Sequence, residues 1–353
     1  MKTLDICTIV SNRQQYNNMR GSFEAGGFLP SHVEYRVVDN TTRNAMDAYQ
    51  AYDYFRNTSA ARYLVLVHQD VVLKNATCSA LLEKLSELDS LDPGWAMAGN
   101  AGKQDDWLKG PICLEDQAGL HFDRSYTYPA NVLSLDENFI IFNLCNEFQR
   151  QDVGTGFHFY GTILTLSAHV AGLRSYVIDF HLKHLSKGTI DATFFDAKQN
   201  IERKGSFCFV KDTQPTTCTV LCFSSDKRVQ RTAFARSLLM LLHDTKTHGK
   251  GLKELWARRE RNWVLLFPAL GCALFEVCFV HARSMSFREF WRVVQACFGA
   301  RLSGSLRTTI RRLSNIVSQQ SLAQRLVSRT TMTILLGNRL AQRAMSDEKD
   351  EVT

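Results

Sequence analysis

The sequence has ten cysteines but no CxxC pair, which excludes the paired-thiol zinc motifs and the thioredoxin-like redox centre. The nearest pair, Cys218 and Cys222, has a spacing that suits neither. Most of the others, among them Cys7, Cys145, Cys272, Cys278 and Cys297, lie inside apolar runs. They read as small buried hydrophobes of a reducing compartment. The opening residues MKTLDICTIVSNR lack the apolar stretch of a secretory signal. A cytoplasmic location is therefore expected, with the sequons at Asn40, Asn57 and Asn75 incidental. There is no internal repeat, which excludes solenoids and propellers. Long apolar segments are also scarce. Trp263 to Val280 runs WVLLFPALGCALFEVCFV, with Glu276 inside it and Pro268 and Gly271 interrupting it. This reads as a buried helix pair, and a membrane-embedded or re-entrant segment is the alternative.

Charge is distributed unevenly. The net +7 hides 21 Lys+Arg against 6 Asp+Glu over 226–343, an acidic tail over 344–353, and a mildly acidic 1–225. Such asymmetry predicts two regions with separate roles.

The first region alternates apolar strands with helices. Leu4–Val10, Val33–Asp39 and Tyr63–Val67 read as strands, with helices over 44–57 and 80–88. Trp95–Ala101 reads as a short strand, 102–130 as a loop-rich excursion, and 132–143 as a hairpin bent at Asp136 and Glu137. A helix follows within 158–171, then a strand over 175–179 and a hairpin over 207–223 around Gln214–Pro215. Continuous apolar strands between helices predict an α/β fold whose parallel strands are covered on both faces. Ligands of such sheets bind at the carboxyl ends of the strands. Here those ends carry Ser11–Asn12, Asp39–Asn40 and His68–Gln69–Asp70.

Several islands then fall in order: DICTIVSN, YRVVDN, YLVLVHQDVVL (63–73), WAMAGNAGK (95–103), HFYGTILTLSAHVAG (158–172) and HLSKG (184–188). Through them residues 5–190 resemble the GT-A glycosyltransferases related to family two. The closest likeness is to the subgroup in which the Asp-x-Asp motif becomes an apolar strand followed by His-Gln-Asp. The resemblance implies a Rossmann-like, mixed but mainly parallel sheet with helices on both faces; here a mainly helical C-terminal region follows it. It covers a little over half the chain and places the glycosyltransferase domain over 1–204; charge and pattern, not the resemblance, predict a basic, mainly helical region over 205–343 and a disordered acidic tail over 344–353. The resemblance also implies a nucleotide-sugar donor and a divalent cation, Mn²⁺ or Mg²⁺, that neutralises the departing diphosphate. Asp70 and His184 would hold the metal, with His184 able instead to contact the diphosphate directly. Ser11, Asn12, Asp39, His68 and Gln69 would line the donor pocket.

The sequence departs from the family at one point. Inverting members place a carboxylate base near the start of the helix after the HFY island, where this chain has Gly161–Thr162–Ile163–Leu164. His158 is the first substitute, since an imidazole can take a hydroxyl proton near neutral pH. Asp152 and the Asp136–Glu137 bend are the others. Without a base, the chain would be a retaining enzyme or an impaired scaffold. A nucleotidyltransferase-like enzyme is a further alternative, but it would need a Gly-rich, Lys-containing loop after the first strand, and that loop is SNRQQYNNMRG.

In the basic region Leu306, Ile310, Leu313 and Val317 form one apolar stripe, and Phe287, Phe290, Trp291, Val294 and Phe298 form another. Arginine-rich amphipathic helices over 227–343 suit an anionic membrane surface, and so a glycan or lipid-linked acceptor. A helical bundle with solvated arginines is the plain alternative. No nucleic-acid reading motif is present, so that partner is not expected.

Overall fold

The computed structural model describes residues 3–116, 119–186, 188 and 190–243. The chain divides into two units, Met1–Phe223 and Ser224–Thr353. In chain order the first unit begins β1 (Leu4–Val10), α1 (Arg13–Ala25), β2 (Val33–Asp39), α2 (Ala48–Thr58), β3 (Tyr63–Val67), β4 (Val71–Leu73) and α3 (Cys78–Leu91). Next come β5 (Trp95–Gly99), β6 (Gly102–Lys103), β7 (Cys113–Asp116), β8 (Gly119–Phe122), β9 (Ala130–Asn131), β10 (Ser134–Leu135) and β11 (Phe139–Asn143). It ends with α4 (Tyr160–Val170), β12 (Arg174–Val177), β13 (Leu182–His184), α5 (Ala192–Gly205), β14 (Thr213–Pro215) and β15 (Val220–Cys222). Of the second unit, α6 (Lys227–His243) is described. The segment 263–280, the stripes over 285–343 and the tail 344–353 lie outside the described residues. Among the described residues no helix is long and apolar enough to cross a membrane.

The main sheet has the order β2-β1-β3-β11-β5-β12-β9. Strands β2, β1 and β3 are mutually parallel, as are β5 and β12, while β11 runs antiparallel between β3 and β5. This is the mixed, mainly parallel α/β sheet that the resemblance implied. Alternation along β11 separates its two faces. Phe139 and Ile141 join a core made with α1 and α3 (Met19, Phe23, Leu81, Leu85, Leu88). Phe142 faces the other way and meets Tyr52 of α2, with ring centroids 4.7 Å apart. Helices therefore cover both sides, because each strand buries both of its rows.

Four expectations change. The helix expected over 44–57 begins at Ala48, because Asp47 and Gln50 form a capping box. Asn40 also ties down the loop before it, accepting from the Ala45 N–H (2.9 Å) and donating to the Met46 carbonyl (2.8 Å). The 102–130 excursion contains β6 to β9, and β7, β8 and β13 join β4 in a second, four-stranded sheet. Residues 132–143 are not a hairpin. Strand β10 pairs with β6 and β11 pairs with β3 and β5, so the bend at Asp136–Asn138 sends the chain from one sheet to another. Finally, β14 and β15 do pair, but Gln214 and Pro215 lie within β14 and the turn falls at 216–219.

Helix α4 starts in an unusual way. Its N-cap, Phe159, is left-handed (φ 65°) and offers no side-chain capping bond. The Glu137 side chain approaches this end from outside, where the backbone N–H groups of Phe159, Tyr160 and Gly161 favour its ionised form. Gly161 is needed for that approach. A Cβ there would stand 2.7 Å from the Leu135 carbonyl oxygen and 3.2 Å from Glu137 Cγ. Gly161→Ala is expected to destabilise the fold by about 1–3 kcal/mol, since backbone must move to admit the methyl. A denaturant midpoint measured with and without the substitution checks this.

Candidate metal and donor site

The site forms where β3 ends. The chain turns sharply from His68 to Val71, whose N–H bonds the His68 carbonyl (3.3 Å), and enters β4. Strand β13 pairs antiparallel with β4, with His184 opposite Val71. The Leu185 N–H donates to the Asp70 carbonyl (2.9 Å). This register brings together two residues 114 positions apart in the sequence. His184 Nε2 lies 3.3 Å from Asp70 Oδ1 and 3.4 Å from His68 Nδ1. His68 Nδ1 is itself 4.0 Å from Asp70 Oδ1. The ligand atoms of His68, Asp70 and His184 all lie within 4.8 Å of one another.

A hydrogen-bond relay sets the orientation of His68. The Tyr160 hydroxyl donates its proton to the Glu137 carbonyl (2.7 Å), so towards His68 Nε2 (2.9 Å) it can only accept. Nε2 therefore carries the ring proton, and the Nδ1 lone pair is turned towards Asp70 and His184. Burial, and then the neighbouring His184, push His68 down to about 4, so the ring is neutral. Burial alone would raise Asp70. The hydrogen bond and charge of His184 outweigh it and hold the carboxyl well below its ordinary range. Burial lowers His184, but the bond and charge of Asp70 leave it raised on balance.

A cleft of about 360 Å³ opens beside this cluster, lined by Ser11, Asn40, Asn44, His68, Gln69, Asp70, Phe157 and Tyr160 among others. That is within the size range of small-molecule sites. Gln69 lines it and also fastens it. Its Oε1 accepts from the Ser11 and Asn12 N–H groups (2.9 and 2.8 Å), and its Nε2 donates to Ser11 Oγ (2.8 Å). The ends of β1 and β3 are thereby stapled together.

The remaining expected residues are placed differently. The Asn12 side chain caps α1, accepting from Gln14 and Gln15. Asp39 is bonded by Thr41, which does most to lower its carboxyl, and pairs with Arg13. The expected first-choice base, His158, turns out of the cleft. Its Nε2 meets Thr193 Oγ1 (3.3 Å), and its ring packs edge-on against Phe194. Asp152 is 87% exposed at its side chain and pairs with Arg150. Neither lines the cleft, because α4 starts at Tyr160 with Phe157 and Tyr160, not His158, turned inward.

Sequence reasoning placed His68 in the donor pocket and the Asp136–Glu137 bend among the substitute bases; it missed that His68 turns Nδ1 towards Asp70 and His184, and that Tyr160 orients it. Burial, and then Asp136, push Glu137 up to about 8 despite three backbone donors. The HFY island held Tyr160 in plain view, but its partner came from a bend that resembled a hairpin turn.

The described chain is thus a mixed α/β protein with a two-imidazole, one-carboxylate cluster at the carboxyl end of a parallel strand. It is 30% identical over 210 residues, 56% of its own length and 82% of the relative's, to the "ATP synthase subunits region ORF 6" protein of Fuscovulum blasticum. The chain belongs to the family of that protein. No family model matches it. Among solved structures it is similar to residues 1–349 of S. aureus TarS in complex with UDP-GlcNAc, at 12% identity, covering 78% of this chain and 81% of that one (TM-score 0.40). It is also similar to GalNAc-T7 with UDP, GalNAc and Mn²⁺, at 9% identity, covering 73% of this chain and 56% of that one (TM-score 0.42).

Proposed function

We propose that this chain transfers a sugar from a nucleoside diphosphate donor to an acceptor hydroxyl, using a divalent cation held by His68, Asp70 and His184. One observation carries the reading: three ligand atoms converge at the carboxyl end of β3, beside a cleft of nucleotide size. The donor set fits a metal, because the Tyr160 relay leaves the His68 lone pair facing the other two ligands. A cation bound there supplies positive charge against the diphosphate as it departs. Two imidazoles beside one carboxylate favour Mn²⁺ over Mg²⁺, which prefers oxygen ligands.

The chain's own residues do the rest. Gln69 holds the β1 and β3 ends in register, and Ser11, Asn40 and Asn44 line the donor cleft. Glu137, from the bend already counted among the substitute bases, is the carboxyl beside Gly161, where the family's carboxylate is missing; its main-chain carbonyl, not its carboxyl, meets Tyr160, and like His158 and Asp152 it does not line the cleft itself. In its ionised form it would accept the proton of the attacking hydroxyl. The basic stretch over 227–343 supports a glycan or lipid-linked acceptor at an anionic surface.

A thermal-shift panel of UDP-, GDP-, dTDP- and CMP-linked sugars, with Mn²⁺, Mg²⁺ or neither, tests the reading. One donor is expected to raise the midpoint with Mn²⁺ and much less with Mg²⁺. A ligand at a hundredfold excess over its Kd stabilises by about 2.7 kcal/mol, which is readily measured. No shift with any donor would overturn the proposal. A shift without transfer would leave a nucleotide-sugar-binding scaffold.

A further inference from the structure

A second cluster of metal-ligating side chains stands outside the donor cleft, and nothing in the proposed reaction uses it. Cys113 opens β7, and Asp179 and His181 lie on the segment between β12 and β13. Their Sγ, carboxylate oxygen and ring nitrogen all lie within 4.8 Å of one another. The parallel pairing of β7 with β13, with Leu114 beside Leu182, brings them together.

The contact between two of them is unusual. His181 Nε2 is 2.9 Å from Asp179 Oδ1. Yet that oxygen is buried and accepts no hydrogen bond, so the ring N–H direction does not point at it. Two lone-pair atoms placed this way stand as neighbouring ligands of one ion do. Bonds of about 2.0–2.2 Å to a shared zinc put nitrogen and oxygen ligands roughly 3–3.5 Å apart. Cys113 adds a soft third ligand. Without an ion, burial pushes this thiol up to about 12, so it stays protonated and unreactive. The side chains of His181 and Asp179 are about 40% exposed (39% and 40%), which leaves an approach for the ion and for a water as fourth ligand.

We propose that Cys113, Asp179 and His181 form a second metal site, selective for a soft divalent cation such as Zn²⁺. Sulfur, imidazole and carboxylate together select zinc over the harder Mn²⁺ or Mg²⁺. Binding releases the Cys113 proton to solvent and ties the start of β7 to the start of β13. His184, the last residue of β13, lies three residues beyond His181. The zinc is therefore a clip that fixes one ligand of the first site, and it stands whether or not the chain transfers sugars.

Cobalt distinguishes the two sites, because only the second offers sulfur. Full-length protein stripped of metal and titrated with Co²⁺ is expected to bind two equivalents and to develop a near-ultraviolet thiolate-to-cobalt absorption. Zn²⁺ should bleach that band, and excess Mn²⁺ should not. The band should persist in Asp70→Asn, where one equivalent is lost. It should vanish in Cys113→Ser and weaken at least tenfold in cobalt affinity in Asp179→Asn. Should the serine variant misfold, His181→Ala serves instead, at a half-exposed position: it should lose the band and keep the equivalent bound at Asp70. A cobalt complex with no thiolate band, or a band unchanged in both Cys113→Ser and His181→Ala, would overturn the proposal.

Discussion

Asp70→Asn is expected to remove the metal-dependent part of both donor binding and transfer, while the protein stays folded. The substitution keeps the shape of the side chain and removes one ligand charge. Asp70 is held ionised chiefly by the His184 bond and charge, which overcome its burial. The neutral amide loses that charge-assisted contact, which costs on the order of 1 kcal/mol when no metal is present. Activity should fall much further. Charge stabilisation by a bound cation is worth several kcal/mol, and each 1.36 kcal/mol is a factor of ten in rate. A loss of about a thousandfold in kcat/KM is therefore expected, together with a Mn²⁺-induced thermal shift reduced to near zero. Single-turnover assays and melting curves on the same sample check both. A variant retaining the full Mn²⁺ shift would show that the cation binds elsewhere. His68→Ala should resemble it in metal affinity, whereas Tyr160→Phe should lose less, since the phenylalanine keeps the ring and frees only the imidazole's orientation.

The parts of this molecule that could be read from its sequence are those governed by neighbours in the chain. Leu4–Val10, Val33–Asp39 and Tyr63–Val67 appear as strands with the expected ends, because each is a continuous apolar run closed by polar residues. The meeting of Asp70 with His184 followed from two motifs at a familiar separation, and β4 and β13 provide its geometric cause. The failures share a different origin. Strands β6, β9 and β10 are two residues long and exist only through pairing with remote partners, so no local pattern announces them. Asp136 and Glu137 look like the tip of a hairpin because two short apolar runs flank them, yet those runs belong to different sheets. His158 was the expected base because it adjoins the start of helix α4. The left-handed Phe159 then sets the start of that helix, and His158 turns towards Thr193. What a titratable group can do depends on burial and on remote donors, and neither is written in adjacent residues.

The second large effect is expected at Glu137, and pH reveals it. Burial and Asp136 raise its pKa to about 8, so at neutral pH most of the carboxyl is protonated. As the base of a transfer reaction it works only when ionised. The rate should climb about tenfold per pH unit below 8 and level off above it. Glu137→Gln keeps the side-chain oxygen that the α4 N–H groups reach, so the helix start survives, but no proton can be taken. A fall in kcat of roughly a hundredfold to ten-thousandfold is expected, with donor affinity retained and the slope near pH 8 abolished. Stability should move in the opposite sense. A carboxyl raised from 4.5 to about 8 contributes its protonated-state stability in full below pH 4.5, and that contribution is lost as pH rises through 8. The glutamine variant should therefore gain on the wild type between pH 5 and 9. Asp136→Asn separates the two carboxylates of the bend: removing its charge should lower the Glu137 pKa and shift the rate profile to lower pH, leaving the plateau in place. A profile unchanged in Glu137→Gln would remove this residue from proton transfer and return the chain to the class of donor-binding scaffolds.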